Sequence, residues 1–412
     1  MVTYRSYDYE RPPDPAGELP GRSEAAVKIA TVETIPVNVP YRHREVSSQL
    51  ARDGVSDVLV KVTTDDGLVG WGEACCGADT ASIEAALRAM TPLVLGRDPW
   101  NREAMRRDVF THGLWQFRSG TGNFAWAGID MALWDVCGRA CDQPIWRLLG
   151  GLQQKEATYF YYLARGDRES LAAQVDDGLG AGFEVFYLKV GLDDADDLEM
   201  VSTVREALGP GPRLRLDANG SWTIPQALRN LRAMAACDID FVEQPVRDHP
   251  VGQLGELRGR VDVSVCANEG LWSEADAYAR IRARQADVYC FSPYWVGSIG
   301  SFHRLSWLAA YEGLLVCKHT HGELGLAAAA GHHVVLTVPN GVEGHQQTAY
   351  LMEHDILTEP IPIASGPRWG TIDGPGLGVI VDEDAVEDAA ARYRAEGQYV
   401  PWHVEQLTKE ER

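Results

Sequence analysis

The sequence predicts an α/β protein in which a closed barrel of alternating strands and helices follows a smaller α+β unit. Three observations carry that expectation. From about residue 157 onward, short apolar segments alternate with helical stretches, the pattern of a parallel sheet covered by helices. So many repeats favour closure over an open sheet, and no convincing nucleotide-binding glycine loop is present, since Gly297-Ser-Ile-Gly300 is too short to count. Before residue 150 the texture is different: alternating strands around a tight turn, then helices.

Taken in order, residues 1–26 read as a mobile arm, polar and proline-rich (Pro12, Pro13, Pro15, Pro20), without a signal-peptide apolar stretch. Val27–Val39 alternates like a strand. Asp57–Thr64 and Leu68–Glu73 flank Asp65-Asp66-Gly67, a hairpin signal. Ala81–Met90, Arg102–Phe110 and Ala125–Ala140 follow as helices, the last with Ile129, Leu133 and Val136 on one stripe. These elements make residues 27–150 the α+β unit.

The barrel is expected over 151–350. Its strands are Thr158–Ala164, Val185–Val190, Arg213–Asp217, Asp240–Glu243, Val263–Ala267, Asp287–Ser292 and Leu314–Lys318. Helices Ser170–Gly180, Asp194–Leu208, Pro225–Cys237 and Ser301–Tyr311 lie between them. The longest uncharged run, Leu324–Val342, holds His332, His333, Pro339 and Asn340, so it reads as a buried alanine-rich helix rather than a membrane span. In the remaining segment, 351–412, a helix is expected at Leu351–Leu357 and an amphipathic one at Glu383–Glu396, with a Pro/Gly-rich stretch between that packs back over a domain.

Composition removes whole classes of function. The 412 residues carry 38 Lys+Arg against 59 Asp+Glu, a net charge of −21 with His neutral. That balance argues against nucleic acid and anionic membranes as partners. A small acidic substrate stays open, because a metal can reverse the sign of a site locally. Eight cysteines occur with no C-x-x-C pair, which argues against a structural zinc site and for small buried hydrophobes. The cytoplasm is the expected compartment.

Functional side chains of a parallel barrel stand at the C-terminal ends of its strands. Those ends are Lys189, Asp217 followed by Asn219, Glu243, Glu269, Ser292, and Lys318-His319. Singly, each acid reads as a loop or cap residue. Together, Asp217, Glu243 and Glu269 lie 26 residues apart on consecutive strand ends and would converge on one mouth. Their repulsion calls for a hard divalent cation, and Mg²⁺ prefers carboxylate oxygens and water. Lys189 ends a buried-looking strand, so its ammonium should point into the mouth. His319 is a candidate base by its position.

Six motifs occur in order: Gly70-Trp-Gly-Glu73, Gly128-Ile-Asp-Met-Ala-Leu-Trp-Asp135, Leu188-Lys-Val-Gly191, Asp217-Ala-Asn-Gly220, Glu243-Gln-Pro245 and Ala267-Asn-Glu269. In these the chain resembles the enolase superfamily, specifically its mandelate racemase/muconate lactonizing enzyme group, over about residues 27–380. The resemblance implies a modified (β/α)7β TIM-like barrel with an α+β capping domain that the final segment completes. It implies Mg²⁺ held by Asp217, Glu243 and Glu269, with Lys189 and His319 as bases on opposite faces of a small-molecule carboxylate. Asn219 matches a residue near metal and substrate, and Tyr41–Gly54 and Glu73–Gly77 match lid loops that set specificity. A homo-oligomer is expected.

The chemistry implied is removal of the weakly acidic proton α to a carboxylate, with the cation stabilising the enolate that forms. A lysine base must be neutral, and partial burial beside a cation would lower its pKa. Two positions depart from the pattern. Tyr187 stands where the group often has the first lysine of Lys-x-Lys. Ser292 stands where racemase-like members place an Asp and cycloisomerase-like members a Lys, which counts against the cycloisomerase and dipeptide epimerase branches. Phe291-Ser-Pro-Tyr-Trp295, His319-Thr-His321 and Glu343-Gly-His345 resemble acid-sugar dehydratases, making His321, Glu343 and His345 candidate substrate or leaving-group contacts. Aromatic residues around the site, Tyr187 among them, suit a less hydroxylated substrate. The favoured expectation is a racemase or epimerase; a sugar-acid dehydratase and a non-catalytic carboxylate-binding protein are the alternatives.

Overall fold

The alternation at the start of the chain is used by a long antiparallel hairpin. In the computed structural model, which describes residues 27–76, 79–117, 120–399 and 402–403, β1 (Ile29–Val46) pairs with β2 (Leu50–Thr64), and β2 with β3 (Val69–Ala74). The arm expected at residues 1–26 lies outside the described residues. Gly67, at φ +89°, supplies the left-handed turn between β2 and β3. Helices α1 (Thr80–Val94), α2 (Arg102–His112) and α3 (Thr121–Ala140) cover this sheet. The glycines of the Gly70-Trp-Gly motif have a steric reason: a Cβ on Gly72 would lie 2.0 Å from the Gly128 carbonyl, and one on Gly70 2.3 Å from that of Ala132. Strand and helix touch backbone to backbone there, so α3 is buried on nearly all sides.

A short helix, α4 (Ile145–Leu148), leads to the barrel. β4 (Glu156–Thr158) comes first and lies outside the barrel sheet, whose strands are β5 (Tyr161–Leu163), β6 (Val185–Lys189), β7 (Arg213–Asp217), β8 (Ile239–Glu243), β9 (Ser264–Ala267), β10 (Val288–Phe291) and β11 (Leu315–Lys318). From β5 to β11 each strand pairs in parallel with the next. Helices α5 (Arg168–Gly180), α6 (Asp194–Leu208), α7 (Ile224–Ala233), α8 (Gln253–Arg258), α9 (Glu274–Arg282) and α10 (Ile299–Tyr311) cross over between them. Their starts follow side-chain caps such as Asp167, Asp193, Thr223 and Ser298.

Residues 341–346 close the circle. Val342 N donates to Val316 O at 2.9 Å and Gln346 N to Lys318 O at 3.0 Å on one side; on the other, Phe160 N donates to His345 O at 2.9 Å. The result is a modified (β/α)7β barrel under an α+β cap. The alanine-rich run forms α11 (Gly325–Val335), wholly buried. Among the described residues no helix is long and apolar enough to cross a membrane.

The helix expected at Leu351–Leu357 does not form. A single 3₁₀ turn spans Ala349–Leu351, and the chain then runs extended, with Glu353 N donating to Pro40 O at 3.0 Å and Leu357 bridging to Val381. Backbone pairing with β1 takes the hydrogen bonds a helix would have used. After β12 (Arg368–Gly370), which pairs with β4, helix α12 (Glu383–Glu396) returns to the cap, where Lys61 bonds Glu383 at 2.9 Å. Finally β13 (Trp402–His403) pairs with β2.

Candidate active site

Register brings the key side chains to one level: Lys189 is paired with Asp217, and Asp217 with Glu243, across β6, β7 and β8. Glu269 follows two residues beyond β9. Lys189 Nζ donates to Asp217 Oδ2 at 2.5 Å and to Asn219 Oδ1 at 3.1 Å. Asn219, in the left-handed region at φ +47°, donates its side-chain amide to Glu269 Oε1 at 3.1 Å. A single asparagine thus ties the lysine to the third acid. Arg165 fixes the strand end from below by donating to Lys189 O at 3.0 Å while bonded to Asp197.

The acids strain against one another. Burial, then repulsion from Asp217, holds the Glu243 carboxyl well above its usual range and pushes Glu269 up to about 7. Glu269 Oε2 is buried with no hydrogen-bond partner. Two buried carboxylates, Asp217 and Glu243, and the partly buried Glu269 face one ammonium and suit a hard divalent cation, for which these three would be the ligands. Burial pulls the Lys189 pKa down, but Asp217, Glu45 and Glu243 outweigh it, and the net direction is up. With the acids unneutralised, Lys189 is therefore held protonated, opposite to the lowering expected beside a cation.

His319 stands at the end of β11, its ring 4.7 Å from that of Trp295. Burial, followed by His321 and Lys189, pushes its pKa well below the usual value. Its Nδ1 has no partner. Ser292 does not supply one: its hydroxyl accepts from Trp295 N at 3.1 Å and caps the turn after β10. His321 packs edge-on to Tyr294 at 4.7 Å, beside His319, with both ring nitrogens unpartnered and its pKa pushed by burial down to about 3.

Other expected residues are placed elsewhere. Tyr187 lies beneath the carboxylates rather than against the substrate space, donating to Asp217 Oδ2 at 2.6 Å and lying 3.3 Å from Glu243 Oε2. Its ring stacks on Phe160 at 4.4 Å. Glu343 is not in the mouth: its side chain is 67% exposed and pairs with Arg213, which opens β7 at the other end of the barrel. His345 also misses the mouth. It is buried against Tyr159, and its Nδ1 accepts from Lys318 N at 3.0 Å. Alternation along this last stave turns its neighbour inward instead, so that Gln346 Nε2 donates to Glu243 Oε2 at 2.5 Å.

Gln346 was missed from sequence, and so was the lid pair Glu45 and Arg52. They face each other across β1 and β2, and Arg52 bonds both Glu45 and the His321 carbonyl. The hairpin tip between them is closed onto β7, with Ser48 Oγ donating to Ala218 O at 2.8 Å and Gln49 Nε2 to Asn219 O at 2.6 Å.

A capped barrel with acids aligned at successive strand ends defines an enzyme of the enolate-forming class. The chain belongs to the enolase superfamily, in the mandelate racemase/muconate lactonizing enzyme group: the enolase C-terminal domain-like family matches residues 170–385, and the mandelate racemase/muconate lactonizing enzyme N-terminal domain matches residues 29–150. The L-Ala-D/L-Glu epimerase of Bacillus subtilis is 29% identical over 86% of this chain and 97% of its own length. The arabinonate dehydratase of Saccharolobus solfataricus is 27% identical over 82% and 92%. The crystal structure of an isomerase from Streptomyces coelicolor superposes with a TM-score of 0.80 at 30% identity, covering 90% of this chain and 99% of that one. Further relatives are named as racemases and cycloisomerases, so isomerases and lyases both occur around this sequence.

Proposed function

We propose that the protein is a Mg²⁺-dependent racemase or epimerase, which takes the proton α to a carboxylate of a small molecule from one face and returns one to the other. What supports this reading is that Lys189 ends β6 and His319 follows β11, near enough that Lys189 is among the charges lowering the His319 pKa. Magnesium held by Asp217, Glu243 and Glu269 would supply positive charge beside the substrate carboxylate as negative charge develops on it. Lys189 Nζ, once deprotonated, takes or returns the proton on its face. Neutral His319 does so on the other, and Asn219 keeps Lys189 aimed. The docked hairpin tip excludes water, so the carbanion is quenched only by these two groups. Trp295, Tyr294 and Phe124 beside the histidines favour a substrate with an apolar portion. The assignment of a cytoplasmic homo-oligomer belongs to this same reading.

Dehydration of a sugar acid is the second reading, and His321 favours it: an imidazole with both nitrogens free, beside His319, could accompany a leaving hydroxyl. Incubating the Mg²⁺-loaded enzyme with α-substituted carboxylates and sugar acids in D₂O separates the two. Racemisation gives α-deuterium with both configurations, and Lys189→Ala and His319→Asn each confine exchange to one face. A 2-keto product would assign the dehydratase. Absence of any turnover, with ligand binding intact in Lys189→Ala, would assign a binding protein instead.

A further inference from the structure

The barrel interior below the acids is lined with sulfur. Cys266 on β9, Cys290 on β10 and Cys317 on β11 stand on three successive staves and pack into one small cluster with Phe241 and Val288. Cys266 Sγ lies 3.6 Å from Cys290 Sγ, and an oxygen of Glu243 lies within 4.8 Å of both. The Cys317 thiol also hydrogen-bonds that of Cys290. Gln346 Nε2 donates to Cys290 Sγ at 3.2 Å while bonded to Glu243, so a donor already supports charge on that sulfur. All these side chains are buried.

The two thiols are hydrogen-bonded to each other, and the nearby carboxylate completes a set of three donors suited to a metal. A tetrahedral zinc–thiolate centre with bonds of about 2.3 Å separates its sulfurs by about 3.8 Å, close to the distance between Cys266 and Cys290. We infer that Cys266, Cys290 and Glu243 form a second metal site, for a thiophilic divalent cation such as zinc or cadmium. Binding displaces two thiol protons to solvent as two metal–sulfur bonds form. Soft thiolates set this site apart from the all-oxygen site above it. Glu243 is the shared wall between them. The site stands whichever reaction the upper site performs.

The test uses the full chain with Mg²⁺ present. Cadmium titration should produce thiolate charge-transfer absorption that saturates at one cadmium per chain. It should be lost in Cys266→Ala and in Cys290→Ala, and kept in Cys141→Ala, which alters the exposed cysteine. X-ray absorption of the zinc-loaded wild type should show two sulfur neighbours at about 2.3 Å. That measurement needs no variant to fold. One sulfur or none would overturn the inference, because the other buried thiol–carboxylate group, Asp57, Glu73 and Cys75, offers a single sulfur. Absorption that survives in the Cys266→Ala/Cys290→Ala double variant would overturn it as well.

Discussion

Replacing Lys318 with Met tests how the loop that carries His319 is held. The Lys318 side chain is fully buried and points out of the barrel beneath α11, where a Cβ on Gly331 would lie 2.5 Å from its Cε. Its ammonium pairs with Glu323, itself 2% exposed, which also accepts from Tyr294 OH at 3.3 Å. Tyr294 OH in turn bonds the His319 carbonyl at 3.3 Å, so the pair underlies His319. Breaking a buried ion pair by removing one partner costs about 3–5 kcal/mol, because the remaining charge is stranded. For a chain of this length unfolding as one unit, an entropy near 0.9 kcal/mol/K translates that into a fall of about 3–6 °C in melting temperature. Burial already raises the Glu323 pKa, and losing Lys318 raises it further. A carboxyl whose folded pKa exceeds its unfolded one stays protonated without penalty in acid, and the penalty grows as pH rises. The loss should therefore be small near pH 4 and full at pH 8, and Lys318→Met/Glu323→Gln should recover most of it. A loss under about 1 kcal/mol at pH 8, or one independent of pH, would refute the reasoning.

Three more outcomes are expected. Glu73→Ala should cost about 2–4 kcal/mol in denaturant unfolding, since two buried N–H groups lose their acceptor; these are Leu324 N at 2.7 Å and Ala327 N at 2.9 Å, in the first turn of α11. Glu73→Gln, which keeps one acceptor oxygen, should cost about half of that. His333, pushed by burial down to about 4, accepts from Trp146 N at 3.3 Å and donates to Leu377 O at 3.1 Å. A base with a depressed folded pKa contributes stability above its unfolded pKa and loses it as pH falls, by about 1.4 kcal/mol per unit. The stability gap between wild type and His333→Leu should thus narrow by roughly 3 kcal/mol from pH 7 to pH 4, and a constant gap would count against this. Tyr187→Lys should move the acid limb of α-proton exchange to lower pH by destabilising protonated Lys189, whereas Tyr187→Phe, which adds no charge, should not lower it by that route.

The sequence was most legible where local chemistry marks an element's ends. Asp193 and Gly209 bracket α6, and the expected span Asp194–Leu208 is the one observed. Arg213–Asp217 is likewise a strand over the expected residues, so Asp217 could be placed by counting strand ends. Legibility failed where side-chain direction depends on pairing not visible in sequence. The last stave is irregular, so nothing announced that His345 turns outward and Gln346 inward. The dehydratase-like Glu343-Gly-His345 segment points to Glu343 as a substrate contact, but the residue lies at the entry of that stave and pairs with Arg213. Glu45 and Arg52 become neighbours only once the β1–β2 register is known. The span 351–357 has a helical composition, yet β1 offers it backbone partners.

Tyr187 shows how one departure from a pattern redistributes charge. A lysine there would add an ammonium beside Asp217 and Glu243, and like charges lower each other's pKa. The phenol instead gives Asp217 a neutral donor at 2.6 Å and adds no charge. Three acids then face Lys189 alone, a local balance of −2, which one divalent cation neutralises. Lys189 thus lacks the ammonium a lysine at 187 would supply, and the acids around it favour keeping its proton. On the proposed reading, the cation that would stabilise the product of proton transfer would also have to free the Lys189 amine that accepts the proton. That reading couples metal binding to base activation, and the Tyr187 variants are the most direct way to pull the two apart.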